Sequence, residues 1–203
     1  ELGLVGSEMC IRDSNESVYV DATKLHLLKE PFFKISQEIL STYDDKMFCL
    51  QHPHKHSYLN EMMEYYNKGW WSKNQIMQYT ALLVDLGFDF KRFFSPLCTI
   101  LWRKNRREFN EMWWTWYEKG GVRDQMAYAT ALQALKMNFR YDDAITFLNN
   151  FTNAGYKGEW WETRQGDYTL FKADEKEKVL ELLCRMTGLS SFRYKPCCRR
   201  RTI

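Results

Sequence analysis

The alternation of hydrophobic and polar positions along the chain predicts three short strands. Apolar runs bounded by charged or turn-forming residues at 46–50 and 96–103 are typical of buried strands. A third run at 17–21, Ser-Val-Tyr-Val-Asp, is rich in residues that favour strands and ends on a carboxylate. We expect these runs to form a small sheet.

Apolar residues at helical spacing between and after the strands predict seven helices. Pro31 opens the first of them, since proline suits a first helical turn, and Gly69, Gly87 and Gly188 each follow the end of one. The predicted helices cover residues 31–43, 57–68, 73–86, 106–118, 124–137, 142–150 and 174–187. Short strands that alternate with helices indicate a helix-rich, layered α/β fold.

The composition fits a folded domain with a large core. The 203 residues correspond to one domain or slightly more at about 150 residues per domain. Hydrophobic residues make up 45% and charged residues 27% of the chain, which excludes a disordered segment. Aromatic residues reach 16%. Rings at that density line a core or form stacking platforms for sugars or bases, and composition leaves both open.

The charge is nearly balanced over the body of the chain. The net charge is +3, from 29 basic and 26 acidic residues, and residues 192–202 alone carry five cations and no anion. The body is therefore not a general nucleic-acid binder. The basic end could contact phosphate or an acidic membrane surface, or lie solvated. No run approaches the roughly 20 apolar residues of a membrane span.

The cysteines do not form a metal-binding pattern. The six cysteines include no Cys-x-x-Cys pair, and this excludes the common zinc-binding spacings. Cys49 and Cys98 lie in apolar runs, where a free cysteine is most often a small core residue. The pattern favours a reducing compartment such as the cytoplasm.

The first residues resemble a sequence that is not part of the protein. Residues 4–14, Leu-Val-Gly-Ser-Glu-Met-Cys-Ile-Arg-Asp-Ser, resemble one translated frame of a transposon-type sequencing adapter over eleven consecutive positions. We therefore expect residues 1–14 to lie outside the fold and to pack against nothing. We also expect the native chain to begin inside a domain, because three strands are fewer than a stable sheet usually has.

Asp21 follows the first predicted strand. A carboxylate at the carboxyl end of a strand lies where α/β sheets bind ligands. It could hold Mg²⁺ or Mn²⁺ against a diphosphate, because hard cations prefer oxygen ligands. The same residue could instead be a turn or capping acid.

Three of the four histidines fall within the segment 52–56, directly after the second predicted strand. Alternate side chains of an extended segment share one face, so that His52, His54 and His56 could point the same way. The segment indicates a metal site, a polar active-site loop or a solvated turn.

Asp124 and Gln125 follow Gly120, Gly121 and Arg123 and would occupy the first turn of a helix. The helix dipole stabilises a carboxylate in that turn, which gives Asp124 a purely structural explanation. In a functional role, Asp124 would accept hydrogen bonds from sugar hydroxyls or act as a base. Arg123 would then fix Asp124 or bind a phosphate.

Aromatic residues crowd the segment 112–117, and Trp-Trp pairs recur at 70–71 and 160–161. Adjacent rings on a helix cannot all face one core, so that some are exposed or line a cleft. The rings indicate a carbohydrate platform or a wide core face.

Taken in order, these motifs resemble a glycosyltransferase-like domain family of plants and microbes, long described as a domain of unknown function. In that family a Trp-x-Asp-Ala/Gly strand precedes a His-Pro-x-Arg segment with a glutamate six positions on, an arginine-bearing strand, a Trp-Trp/Phe pair and Arg-Asp-Gln. The matching segments here, over about residues 17–150, are Tyr19-Val20-Asp21-Ala22, His52-Pro53-His54-Lys55 through Glu61, Arg103, Trp113-Trp114 and Arg123-Asp124-Gln125. Two positions depart from the pattern. Lys55 replaces arginine and loses its bidentate fork, and Tyr19 replaces tryptophan.

The resemblance implies a partial GT-A-like, Rossmann-like fold whose first nucleotide-binding strands are missing. It divides the chain into the adapter-like residues 1–14, the C-terminal part of a glycosyltransferase-like domain at 15–155, and a helical extension with the basic tail at 156–203. The implied reaction transfers a sugar from a nucleotide-diphosphate sugar to a hydroxyl of a glycan or other acceptor. The alternative is a non-catalytic module that binds carbohydrate or protein through an aromatic cleft.

The resemblance also implies roles for individual residues. Asp21 would lie near the diphosphate and its Mn²⁺ or Mg²⁺ ion, and Asp124 near the transferred sugar, flanked by Arg123 and Gln125. The residues expected to bind substrate are His52, His54, Lys55, Glu61, Arg103, Trp113 and Trp114. We expect His52, Lys55 and Glu61 to share one cleft with Asp21, because parallel strands end on the same side of a sheet.

Overall fold

The structure is a computed structural model that describes residues 16–42, 47–52, 57–91, 96–104, 106–120, 124–153 and 173–189. Several sequence predictions fall outside these residues. They concern the adapter-like residues 1–14, His54, Lys55, His56, Arg123, the Trp160-Trp161 pair and the basic tail.

Four strands of the described chain form one mixed sheet in the order β1-β3-β2-β4. They are β1 (Glu16–Val20), β2 (Met47–Gln51), β3 (Pro96–Lys104) and β4 (Phe139–Asp143). β3 is antiparallel to β1 and β2, and β4 is parallel to β2. Strands β1, β2 and β4 therefore run in the same direction and finish at the same end of the sheet.

The seven predicted helices are all present among the described residues, with ends that differ by a few positions. They are α1 (Pro31–Thr42), α2 (Tyr58–Asn67), α3 (Lys73–Asp85), α4 (Arg107–Gly120), α5 (Asp124–Ala134), α6 (Ala144–Phe151) and α7 (Ala173–Thr187). A 3₁₀ helix, Ala22–Leu27, was not predicted. The sequence also missed β4, because its residues 142 and 143 were assigned to the following helix. Asp143 instead ends the strand and caps α6 by accepting a hydrogen bond from the backbone of Thr146.

Local sequence explains where the helices begin and end. The Ser57 side chain accepts a hydrogen bond from the Asn60 amide and caps α2, and Ser72 and Gln75 form a reciprocal capping box at α3. Such caps satisfy amides that the helix leaves without a partner. Gly69 and Gly87 adopt positive φ angles of 67° and 72° after α2 and α3, a conformation that glycine reaches without strain.

Helices cover both faces of the sheet. On one face, side chains of α2, α3, α4, α5 and α7 pack against Met47, Cys49 and Leu101 in what we call the helical core. On the other, α1 and α6 pack against Phe48, Leu50 and Trp102. The chain is thus a helix-rich, mixed α/β fold, as the sequence predicts at that level. No helix within the described ranges is both long and apolar enough to cross a membrane.

A close approach at Gly120 fixes the end of α4 just before the predicted Asp124 turn. The Trp71 indole donates a hydrogen bond of 2.8 Å to the Gly120 carbonyl. A Cβ atom at Gly120 would lie 2.9 Å from the Tyr79 ring, so that only glycine fits here without a shift of that buried ring. This contact holds α4 against α3.

Candidate functional site

Asp21 is held at the end of β1 by the sheet itself. Its backbone N–H donates a hydrogen bond of 2.9 Å to the Thr99 carbonyl and so extends the β1–β3 pairing by one residue. Within that pairing Tyr19 lies opposite Leu101, and Ser17 lies opposite Arg103. Because Leu101 belongs to the helical core, Tyr19, Ser17 and Arg103 lie on the face that the helical core covers.

Asp124 and Gln125 lie in the first turn of α5, as predicted. The Trp113 indole donates to the Asp124 carbonyl over 3.1 Å. The Tyr65 hydroxyl donates to Gln125 Oε1 over 3.3 Å. Side chains from α4 and α2 therefore fix the start of α5, and Trp113 lies beside Asp124; its predicted role in binding substrate stays a prediction.

The pKa of the Tyr19 phenol is shifted by three of the predicted site residues. Burial raises the pKa of its phenol, the negative charges of Asp21 and Asp124 raise it further, and the positive charge of Arg103 lowers it. An electrostatic effect of this kind falls off with distance and with screening. The charges of Asp21, Arg103 and Asp124 consequently act on one tyrosine.

The pKa of the Cys98 thiol is shifted by an overlapping set of charged residues. Burial raises the pKa of its thiol well above the ordinary value, the charges of Asp124 and Glu61 add to the effect, and Arg103 opposes it. Glu61 itself is only 1% exposed in α2, so its carboxyl group reaches this region from the helical core. We call Tyr19 and Cys98, together with the charged residues that shift their pKa values, the candidate site, defined as Tyr19, Asp21, Glu61, Cys98, Arg103 and Asp124.

Arg103 is the positive centre of the candidate site. Its guanidinium carbon lies 5.8 Å from the centre of the Trp113 ring, a cation–π contact. Burial lowers the pKa of Arg103, while Tyr128, Tyr19 and Cys98 act in the opposite direction. Arginine nevertheless remains charged at neutral pH, so that the site keeps a fixed positive charge beside its carboxylates.

The arrangement limits the chemistry that the site can perform. The raised pKa of Cys98 keeps its thiol protonated near neutral pH, and a protonated thiol is a poor nucleophile. Asp124 is half-buried and not sealed in the core. Carboxylates that can accept a proton, together with a fixed cation, suit acid–base chemistry on a hydroxyl.

His52 lies at the same end of the sheet as Asp21, because β1 and β2 run in the same direction. It follows β2 by one residue and is buried. Leu50 and Phe48, two and four positions earlier, face the core on the other side of the sheet from Tyr19. That His52 shares a cleft with Asp21 therefore stays a prediction, and the candidate site does not include it.

The aromatic residues of α4 separate into core and surface, as the sequence predicts. Trp116 is buried, Trp113 is half-buried against Tyr128, and Trp114 is 60% exposed. Trp114 stacks on Tyr117 with ring centres 5.5 Å apart and planes inclined by 25°. Trp114 thus lies on a surface away from Trp113 and outside the candidate site.

The metal role of Asp21 stays a prediction. Within the described residues, no three His, Cys, Asp or Glu side chains come together in a way that could hold a metal ion. Magnesium and manganese need several oxygen ligands, which the described side chains around Asp21 do not provide. We assign no chemical step to a metal ion.

Sequence reasoning missed the tyrosines of this region. Tyr19 was noted only as a replacement for tryptophan, and Tyr128 was not singled out. Tyr128 lies four residues after Asp124 on α5, a spacing that places two side chains on one helix face and that could have drawn attention to it. Cys98 was predicted as a core residue, and its burial confirms this.

Comparison of the chain with protein-family models, curated proteins and solved structures gives no significant match. The functional conclusion therefore depends on the geometry of the site.

Proposed function

We propose that the chain is part of an enzyme that transfers a sugar from a nucleotide-diphosphate sugar to a hydroxyl acceptor, and that the candidate site binds the reacting sugar. One observation supports this most: Arg103 and Asp124, from two separate motifs, both shift the pKa values of Tyr19 and of Cys98, while Asp21 acts on Tyr19 and Glu61 acts on Cys98. The order of motifs in the sequence is that of the glycosyltransferase-like family which the chain resembles.

Asp124 is the base in this proposal. As the acceptor hydroxyl attacks the anomeric carbon, its proton passes to the Asp124 carboxylate, the new C–O bond forms, and the bond to the diphosphate oxygen breaks. Gln125 keeps its amide N–H₂ group for a sugar oxygen, because its Oε1 accepts from Tyr65. Arg103 supplies positive charge near the leaving oxygens.

We propose in addition that the sheet is part of a GT-A-like fold. Among the described strands, β1 lies at an edge of the sheet. Strands of a nucleotide-binding half would extend the sheet at that edge, next to Asp21.

The test is turnover by the wild-type chain and by Asp124→Asn, each within the full-length protein that carries the proposed nucleotide-binding strands. The protein is incubated with UDP-glucose, UDP-galactose, UDP-xylose and GDP-mannose and a panel of glycan acceptors, and release of nucleoside diphosphate is measured. We expect Asp124→Asn to lower the rate by at least about 100-fold with nearly unchanged thermal stability, because asparagine is as good a residue as aspartate at a helix start.

Asp85→Asn is the matched control, since Asp85 is exposed at the end of α3. It should leave the rate unchanged. An Asp124→Asn variant that turns over at the wild-type rate would remove the base from the proposal, and a wild-type chain inactive with every donor would remove the transfer reaction.

The second candidate is a carbohydrate-binding module, and the stacked pair of Trp114 and Tyr117 favours it. Flat, exposed rings present a surface on which the apolar face of a sugar can stack. Glycan binding that Trp114→Ala abolishes and Asp124→Asn leaves intact, in the absence of turnover, would favour the module.

A further inference from the structure

Several buried polar atoms of the described residues have no hydrogen-bond partner, and three of them can donate and lie around Trp113 or the pair of Ser17 and Arg103 on β1 and β3. The three are the Ser17 hydroxyl, the Nε–H of Arg103 and the Tyr128 hydroxyl. Buried polar groups in folded proteins nearly always have a partner, and those without one need an explanation. The Tyr128 side chain is fully buried, at 0% exposed.

The three donors belong to one region. Ser17 and Arg103 are directly opposite each other on neighbouring strands, which places their Cβ atoms about 4.5–5.5 Å apart. Arg103 and Tyr128 each perturb the pKa of the other. Arg103 and Tyr128 also share a neighbour in Trp113. The guanidinium carbon of Arg103 lies 5.8 Å from the centre of the Trp113 ring, and the Tyr128 and Trp113 ring centres are 5.2 Å apart.

The charge of Arg103 is not neutralised within the described chain. No described carboxylate forms an ion pair with it, and the groups that raise its pKa are Tyr128, Tyr19 and Cys98, which are neutral near pH 7. Removing a charge from water without a partner is costly. An anion bound at this point would offset that cost.

We infer that Ser17, Arg103 and Tyr128 form a binding site for one anionic oxygen-rich group of a ligand, a phosphate or a carboxylate. Arginine can only donate hydrogen bonds, so that the ligand must supply acceptors, and a negative charge makes those bonds shorter and stronger. A neutral sugar hydroxyl can accept these hydrogen bonds but brings no charge to offset that of Arg103, and a cation can do neither. The inference rests on the role proposed above for Arg103 near the leaving oxygens, but it concerns binding and not turnover, so that the two proposals can fail separately.

The site lies near the surface. Ser17 and Arg103 are half-buried, and Tyr19, the next residue of β1 on the same face, is 39% exposed.

Binding of two anions of different chemistry tests the inference. The whole chain is titrated at constant ionic strength with pyrophosphate and with glucuronate, and with glucose as the neutral counterpart, by calorimetry and thermal melting. We expect one or both anions, but not glucose, to bind and to raise the melting temperature. Pyrophosphate alone indicates a phosphate-bearing ligand, and glucuronate alone an acidic sugar.

Arg103→Met keeps the apolar stem and removes the charge and the donors. It should weaken anion binding by at least about tenfold, and Tyr128→Phe should weaken it by about threefold or more. Arg107→Met is the matched control, because Arg107 is exposed on α4 and bonds to Glu111 at 2.7 Å. It should leave binding unchanged.

Without a ligand, Arg103→Met should melt at or above the wild-type temperature, because it removes an unpaired buried charge. The inference is wrong if neither anion binds, or if Arg103→Met and Arg107→Met weaken binding equally. It is also wrong if Arg103→Met lowers the melting temperature by several degrees while Tyr128→Phe leaves anion binding unchanged, since Arg103 would then only support the fold.

Discussion

Burial raises the pKa values of several titratable side chains of the helical core further above neutral pH. The pKa values of the Cys98 thiol and of the Tyr58 and Tyr128 phenols are raised well above their ordinary values, mainly because burial disfavours the charged forms. These groups cannot act as bases or nucleophiles at neutral pH. The chemistry of the candidate site is therefore left to its carboxylates and to Arg103.

These raised pKa values predict a loss of stability in alkali. The ordinary values are 9.0 for the thiol and 10.0 for the phenols, so that above about pH 9 the unfolded chain releases protons that the folded chain retains. The free energy of unfolding should be constant below that pH and fall as the pH rises. Urea unfolding between pH 7 and pH 11 measures it.

In Tyr128→Phe the free energy of unfolding should fall less steeply as the pH rises above 9, because the substitution removes one of the groups that release a proton only in the unfolded chain. The corresponding control is Tyr141→Phe, because Tyr141 is 46% exposed. A wild-type stability that does not fall up to pH 11, or an equal slope in Tyr128→Phe, would contradict this explanation.

Single residues of the site were predictable where a motif marked them. Asp21, Glu61, Arg103 and Asp124 were predicted from the sequence; the charges of Asp21, Arg103 and Asp124 act on Tyr19, and those of Glu61, Arg103 and Asp124 act on Cys98. The tyrosines were not found. A buried tyrosine looks the same in a sequence whether it fills a core or borders a charged site, because its role depends on which strand faces it.

At the scale of the elements, a hydrogen-bonded contact joins α2 to α5. The Tyr58 hydroxyl lies 2.7 Å from Thr130 Oγ1 and donates to the Met126 carbonyl over 3.0 Å. The Tyr79 hydroxyl lies 3.4 Å from both hydroxyl groups. All three side chains are buried. The contact holds the helix of Glu61 against the helix of Asp124.

Thr130→Val should destabilise the fold by about 1–3 kcal/mol, because it leaves buried tyrosine hydroxyls short of a partner. Thr115→Val is the matched control. Both threonines donate to the carbonyl four residues earlier over 2.8 Å, but Thr115 is exposed on α4. Chemical unfolding of both variants gives the difference, and equal losses would show that the contact between the helices does not matter.

Helices were easier to predict than strands, for reasons of local chemistry. Ser57, Ser72, Gly69 and Gly87 mark helix ends in the sequence because caps and positive φ angles depend on neighbouring residues alone. β4 was missed because it is a largely exposed edge strand, which lacks an apolar run. Its existence depends on pairing with β2.

At the scale of the whole molecule, the sequence predicts the α/β class but not the sheet order. The central position of β3, and its direction opposite to β1 and β2, depend on contacts between residues far apart in the sequence. The prediction that Asp21 and His52 follow strands that finish together is nevertheless confirmed, since β1 and β2 run in the same direction. The side of the sheet on which His52 lies could not be derived from that argument.

The central claim is that Asp21, Glu61, Arg103 and Asp124 form one ligand-binding site. The most direct test is an NMR titration of the isotope-labelled chain with the four nucleotide-diphosphate sugars, observing the backbone amide of each residue. The claim predicts that with at least one sugar nucleotide all four amides shift together and fit a single Kd. It is contradicted if the four amides stay unmoved with every donor, or if the shifts are confined to Trp114 and Tyr117.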